Sequence, residues 1–143
     1  MNQSLVPCSF VPPQTISTER LLLRPLTIND VVKDYDAVMT SVEHLRGVFG
    51  PSSRWPSPEL TLEQDLIDLG WHQKEFQRRS SFAYTVFSPD NVQCLGCLYI
   101  YPSDHLAYDA MVLAWVRQSE VASGLDDHLL ETVRAWLRES WPF

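Results

Sequence analysis

Positive charge is scarce: eleven Lys and Arg stand against eighteen Asp and Glu, a formal net charge of −7 over 143 residues. Neutralising phosphates takes clustered Lys and Arg, so no nucleic-acid partner is expected, and an acidic chain better suits a cationic or amine-bearing one. Long hydrophobic runs are missing too. None approaches the roughly 20 apolar residues that cross a bilayer, so no membrane partner is expected. The opening MNQSLVPCSFVPPQ has neither the basic nor the apolar region of a secretion signal, which makes the expected location cytoplasmic. Cysteine is limited to three. Cys94 and Cys97 form a C-x-x-C, but in a strand-like run where residues three apart face opposite ways; neither a second pair nor a nearby His completes a metal set. No metal is expected. The five glycines form no Gly-rich phosphate loop, and there is no Ser-His-Asp grouping, internal repeat, low-complexity tract or long block of like charge.

What is present is about one domain's worth of chain, enough for one ordinary core. Residues 1–15 read as a Pro-rich arm, mobile or lying along the surface, and 16–143 as a single domain. Ile16 to Pro25, ISTERLLLRP, reads as a strand centred on Leu21, Leu22 and Leu23. Thr27 and Asp30 are spaced to box a helix start. Val31, Val32, Tyr35, Val38, Met39, Val42 and Leu45 then repeat on one face as far as Gly47. Gly50 to Pro58 is a loop in which Trp55 has no periodic partner. A second helix starts at Thr61, boxed by Gln64, with Leu62, Leu66, Leu69 and Phe76 expected inward. Ser81–Phe87 and Gln93–Tyr101 flank Ser88-Pro89-Asp90-Asn91, a tight reversal that pairs them antiparallel. Ala110–Val116 is a short apolar strand expected to be buried on both faces. Ser123-Gly124-Leu125-Asp126 then opens a helix with a Ser N-cap, and Leu125, Leu129, Val133, Trp136 and Leu137 mark its inner face. Strand, loop and helix start are consecutive there, so free N–H groups and the positive end of the helix dipole make a possible anion site. The order β-α-α-β-β-β-α describes an α+β fold with a mixed sheet flanked by helices.

ISTERLLLRPLTINDVVKDY resembles the first strand and helix of the GNAT acetyltransferase superfamily, especially the branch that acetylates protein N-termini. FAYTVFSPDNVQCLGCLYIYP is similar to that family's second and third strands, and the final segment stands where it has its fourth strand and acetyl-CoA pyrophosphate loop. The resemblance implies a GNAT-like, mostly antiparallel sheet from about Ile16 onward. It also implies acetyl-CoA as cofactor and acetyl transfer to an amine of a small molecule or peptide. On this likeness the cofactor lies along Leu113, Trp115 and Val116 and over Ala122, Ser123, Gly124 and Leu125. The loop departs from the family's pattern: Val121 stands where Arg or Gln is usual, and Asp126 replaces a small residue. Asp126 and Asp127 place two carboxylates in one turn, where like charges about 5 Å apart repel by roughly 1 kcal/mol in water and about 3 kcal/mol at a protein surface. Their plain role is to stabilise the helix start. The family continues through a fifth strand, a helix that often supplies a catalytic Tyr, and two more strands. Trp141-Pro142-Phe143 would match only the beginning of the fifth strand, so the C-terminal elements are expected to be missing and no residue matches that Tyr. The sheet edge left open is expected to be covered by a homodimer.

Acetyl transfer needs a group to take the amine's proton and N–H groups for the oxyanion. Asp109 and Tyr101 are the catalytic candidates, with Tyr99 and His105 beside them, and Trp55 is the candidate for substrate binding. Each has a structural reading as well. Tyr99 and Tyr101 share a strand face as half-buried sheet residues, His105 and His72 are isolated, Asp109 ends a turn, and Trp115 suits the core. Two functions follow: an acetyl-CoA-dependent N-acetyltransferase, or a catalytically degenerate GNAT-fold module for binding or dimerisation in which acetyl-CoA is lost.

Overall fold

The computed structural model describes residues 4–143. Five strands form one sheet in sequence order, antiparallel at every pairing. They are β1 (Ile16–Ser17), β2 (Leu22–Pro25), β3 (Phe82–Phe87), β4 (Cys94–Pro102) and β5 (Ala110–Val116). The first two come from the segment that the sequence presents as one strand. Thr18 turns the chain back, its hydroxyl oxygen accepting the N–H groups of Arg20 and Leu21, so that Ile16 pairs with Leu23. The reversal after β3 closes as expected, with Ser88 N–H bonded to Gln93 O and Asn91 left-handed at φ 61°.

Helices α1 (Val31–Met39), α2 (Val42–Leu45) and α3 (Leu62–Arg78) lie on one side of the sheet, and α4 (Leu125–Ser140) lies on the other. The single helix expected over 31–45 breaks at Thr40, whose hydroxyl donates to Asp36 O at 2.8 Å and competes with helix propagation. Thr61 and Gln64 box the start of α3 as the spacing predicts. Its inner face, however, is rotated. Asp65 and Leu69 are buried, whereas Leu62 and Leu66 are 45% and 40% exposed. Apolar periodicity cannot foresee this, because an acid takes the inward position. The inner face of α4 matches expectation in Leu125, Leu129, Val133 and Trp136, but its cap does not. Gly124, at φ 77°, holds the N-cap position, while the Ser123 hydroxyl donates to Glu120 O.

Both peripheral segments pack against the α4 side. Val6 is buried in that core, and Arg79 donates to the carbonyls of Pro7 and Phe10. Trp141 does not begin a strand. It caps α4 in extended conformation and packs against Phe10, Phe82, Tyr84 and Trp136, where a large ring buries more apolar area than an edge pairing would.

A bulge in β4 aligns everything near the candidate site. Phe87 pairs with Cys94 while Val86 pairs with Gly96, which leaves Leu95 as the extra residue. Strict alternation would have set Cys94 and Cys97 on opposite faces; the inserted residue places both on the α1 side, buried. Burial pushes the Cys94 thiol up to about 12 and Cys97 well above its ordinary value, so neither is a reactive thiolate. The polar loop after β5 conceals a buried arginine. Arg117 donates to Cys94 O, Asp36 and the Thr40 hydroxyl, tying the bulge to α1. β5 itself is the sheet edge, not a strand buried on both faces: Met111 is exposed, and only Trp115 and Val116 are fully covered. It crosses β4 so closely that a Cβ on Gly96 would stand 2.0 Å from Trp115 O. Gly96→Ala is therefore expected to lose about 2 kcal/mol or more of stability in urea unfolding, and an unchanged midpoint would show that the strands do not meet this way.

Candidate functional site

Arg117 N–H bonds Leu95 O at 2.7 Å. Backbone groups alternate along an antiparallel pair, so Trp115 and Leu113 also face β4, leaving the N–H and C=O of Val112, Ala114 and Val116 directed outward from the sheet edge. This edge leads through a 3-10 turn, Gln118–Glu120, to the N-terminus of α4. The turn holding Ala122 and Ser123 is exposed, and Gly124 has open space beside its Cα, so its glycine serves the left-handed backbone. Arg20 stands next to it, donating to Ser123 O and Oγ at 3.0 and 3.2 Å. Asp127 points to solvent. Asp126 is half-buried and lines a groove of about 60 Å³ with Ala114, Trp115, Val116 and Leu129. Outward strand amides, a helix N-terminus and an arginine suit an elongated amide-bearing ligand with an anionic end. The acids at the helix start oppose it.

On the α1 and α3 side of the same strands lies a cavity of about 230 Å³. Its floor is acidic. Asp34 from α1 and Asp65 from α3 are 4% and 2% exposed, and their carboxyls lie against each other. Desolvation, then this contact, raises Asp34 well above the ordinary carboxylate range; desolvation raises Asp65 and Asp68 as well. Two carboxylates cannot both ionise here without an unpaired buried charge, which costs several kcal/mol, so Asp34 carries the proton. At the mouth stand half-buried Asp68, His72, Trp55 and Tyr101. Desolvation lowers His72 below its usual value, against the opposing pull of Glu75 and Asp68, and keeps the imidazole neutral. The walls are aromatic: Phe49 meets Trp55 and Tyr99 edge-on at 5.1 Å, and Tyr99 and Tyr101 lie parallel at 5.9 Å. Burial keeps both phenols protonated, Tyr101 rising to about 12.

The structure brings Trp55, Tyr99, Tyr101 and His72 together, with Trp115 behind them donating its indole N–H to Tyr99 Oη at 3.0 Å. Asp109 and His105 are elsewhere. They line a larger pocket of about 440 Å³ at the start of β5, with Pro102, Tyr108 and Phe143. Asp34, Asp65 and Asp68 escape sequence reading, although one signal was available. Asp34 interrupts the apolar stripe of its helix between Val31 and Val38, and Asp65, Asp68 and His72 are spaced to share one face of α3.

No protein-family model matches this sequence, and no curated protein does. Solved structures do match. A coenzyme A complex of RimL, a ribosomal L7/L12 alpha-N-protein acetyltransferase, aligns over 87% of this chain and 67% of its own at 18% identity and a TM-score of 0.70. An acetyltransferase from Salmonella typhimurium that modifies the N-terminal serine of L7/L12 aligns over 89% and 70% at 15% identity and 0.68. A Bordetella pertussis protein described as a GnaT-family acetyltransferase aligns over 90% and 74% at 15% identity and 0.64. At such identities the likeness establishes the fold, which is that of the GNAT acetyltransferases.

A carboxyl whose folded value is raised contributes stability that is fully present below its unfolded value and is lost as pH rises through the folded one. Stability is thus expected to decline from about pH 4 upward, and Asp34→Asn to flatten that decline, as read from urea midpoints across pH. Equal pH sensitivity in parent and variant would contradict a protonated Asp34.

Proposed function

We propose that this GNAT-fold chain is a cytoplasmic, acetyl-CoA-dependent N-acetyltransferase that acts on an amine of a small molecule or peptide, held in the cavity between Asp34 and His72. The observation that carries this reading is a free strand edge running into a helix N-terminus, with a neutral imidazole in a cavity beside the same strands. Acetyl-CoA, when bound, supplies the activated thioester carbonyl. Val112, Ala114 and Val116 would pair with its amide-bearing arm, and Arg20 with the first N–H groups of α4 would hold its anionic end. His72 takes the proton of the acceptor ammonium, and Asp68 on the same helix face stabilises the imidazolium that forms. Trp55 and Tyr101 cover the mouth and limit water. Asp109 has no part in this arrangement.

A second reading, a degenerate binding module, is favoured by the Asp126 carboxylate in the groove beside β5. Calorimetry with coenzyme A separates the two. Saturable heat, weakened roughly three- to tenfold by Arg20→Ala, is expected; silence at millimolar ligand would leave the module. In a thiol-release assay with an amine acceptor, His72→Gln is expected to lower turnover by about a hundredfold or more. Sedimentation tests the expected homodimer. A dimer through β5 would use the backbone groups that a bound cofactor needs, so coenzyme A should convert it to monomer, and a monomer without ligand would remove the dimer.

A further inference from the structure

The outer face of α3 is apolar where a helix packed on a sheet ordinarily meets water with polar side chains. Leu66, Ile67 and Trp71 are 40%, 55% and 60% exposed there, with Gly70 among them. Exposed apolar residues scattered singly are ordinary, but a contiguous stripe of them marks a contact surface. Gly70 is a second, independent observation. A glycine inside a helix costs stability, and nothing within this protomer calls for one. Its φ is not positive, and a Cβ there would meet only Ile28 Cγ2, at an ordinary 3.9 Å. The absent side chain leaves a notch in the stripe, flanked by Ile28, that admits a side chain from outside the chain.

We propose that this notch receives Ile67 of a second copy of the chain, in a two-fold dimer with the two α3 helices antiparallel. Position and charge both argue for that occupant. Glu63 and Lys74, Leu66 and Trp71, and Ile67 and Gly70 each lie symmetrically about a point between Asp68 and Leu69. An antiparallel pairing centred there sets Ile67 against Gly70 of the second copy, and the two-fold repeats the contact in reverse. It also sets Glu63 against Lys74 of the second copy at each end of the seam. Both side chains are exposed, and neither belongs to the ion pairs among the described residues, which are Arg24–Asp30, Arg46–Glu43 and Arg117–Asp36. Leu66 and Trp71 stand on opposite flanks of the stripe and close the seam from its two sides. A parallel pairing would instead oppose like charges, and a partner surface of one sign would leave one end of the stripe unmatched.

The seam uses no residue of β5 or α4, so it is independent of the sheet edge and of the transferase reading. One helix face is at the small end of specific interfaces, and association is expected at about 100 µM.

Sedimentation of the full chain from about 10 to 500 µM reads this pairing, with coenzyme A present to occupy the β5 edge. The parent is expected to pass from monomer to dimer across that range. Glu63→Lys and Lys74→Glu are each expected to weaken association about tenfold, and the double variant, which exchanges the two charges, to restore it. If coenzyme A does not bind, these variants still separate the seams, because none of them touches β5. Gly70→Ala is expected to raise the urea midpoint while weakening association about fivefold, opposite signs that a purely local role would not produce. Glu63 lies in the first turn of α3, where its reversal also costs helix stability. Ile67→Asp, away from the helix end, supplies a second reading and is expected to abolish the dimer. Association unmoved by the single reversals, or not restored by the exchange, overturns the proposal. So does a chain that stays monomeric throughout; flotation of that monomer with phosphatidylcholine vesicles would assign the stripe to a lipid surface instead.

Discussion

The fold's candidate chemistry depends on one clamp, the guanidinium of Arg117. It reaches the carbonyl of Cys94 at the bulge and the side chains of Asp36 and Thr40 on α1, while its own N–H holds Leu95. A buried arginine in a loop is costly unless every donor is used, and here one side chain joins the irregular point of the sheet to the helix above it. The bulge sets which face Cys97, Tyr99 and Tyr101 present. The helix carries Asp34 over the same face. Loosening the clamp would shift both halves of the acid and aromatic cavity at once.

Electrostatics on the two sides of β5 are opposed. Toward α4, a helix N-terminus and Arg20 create a local positive field in an otherwise acidic protein, partly cancelled by Asp126 and Asp127. Toward α1 and α3, desolvation dominates. It keeps a carboxyl protonated and an imidazole neutral, disfavouring the charged form of each. The sheet thus separates a region suited to an anion from one suited to a cation.

Element order, the hairpin around Pro89 and the inner face of α4 were legible in the sequence because each rests on local chemistry: turn residues, or an apolar repeat. What escaped was non-local. The bulge at Leu95 follows from the partner strand, and the turn at Thr18 from a hydroxyl capturing two amides within a leucine-rich run. The rotated face of α3 follows from where Asp65 meets Asp34, residues far apart in the chain. Of the anticipated site residues, Trp55 and Tyr101 line the cavity and Asp109 lies in another groove. A solitary Asp before a strand carries no information about which end of the sheet its neighbours will occupy, whereas an acid inside an apolar stripe does announce an unusual environment.

The aromatic face beneath α4 joins the earliest and latest parts of this domain: Phe10 against Trp141, Arg79 clasping Pro7 and Phe10, Tyr84 bonding Pro13 O. On an elongating ribosome Leu23 can pair with Ile16 at once, but Leu21 and Leu23 stay uncovered on their other side until α4 has been made, so this apolar surface is exposed through much of synthesis.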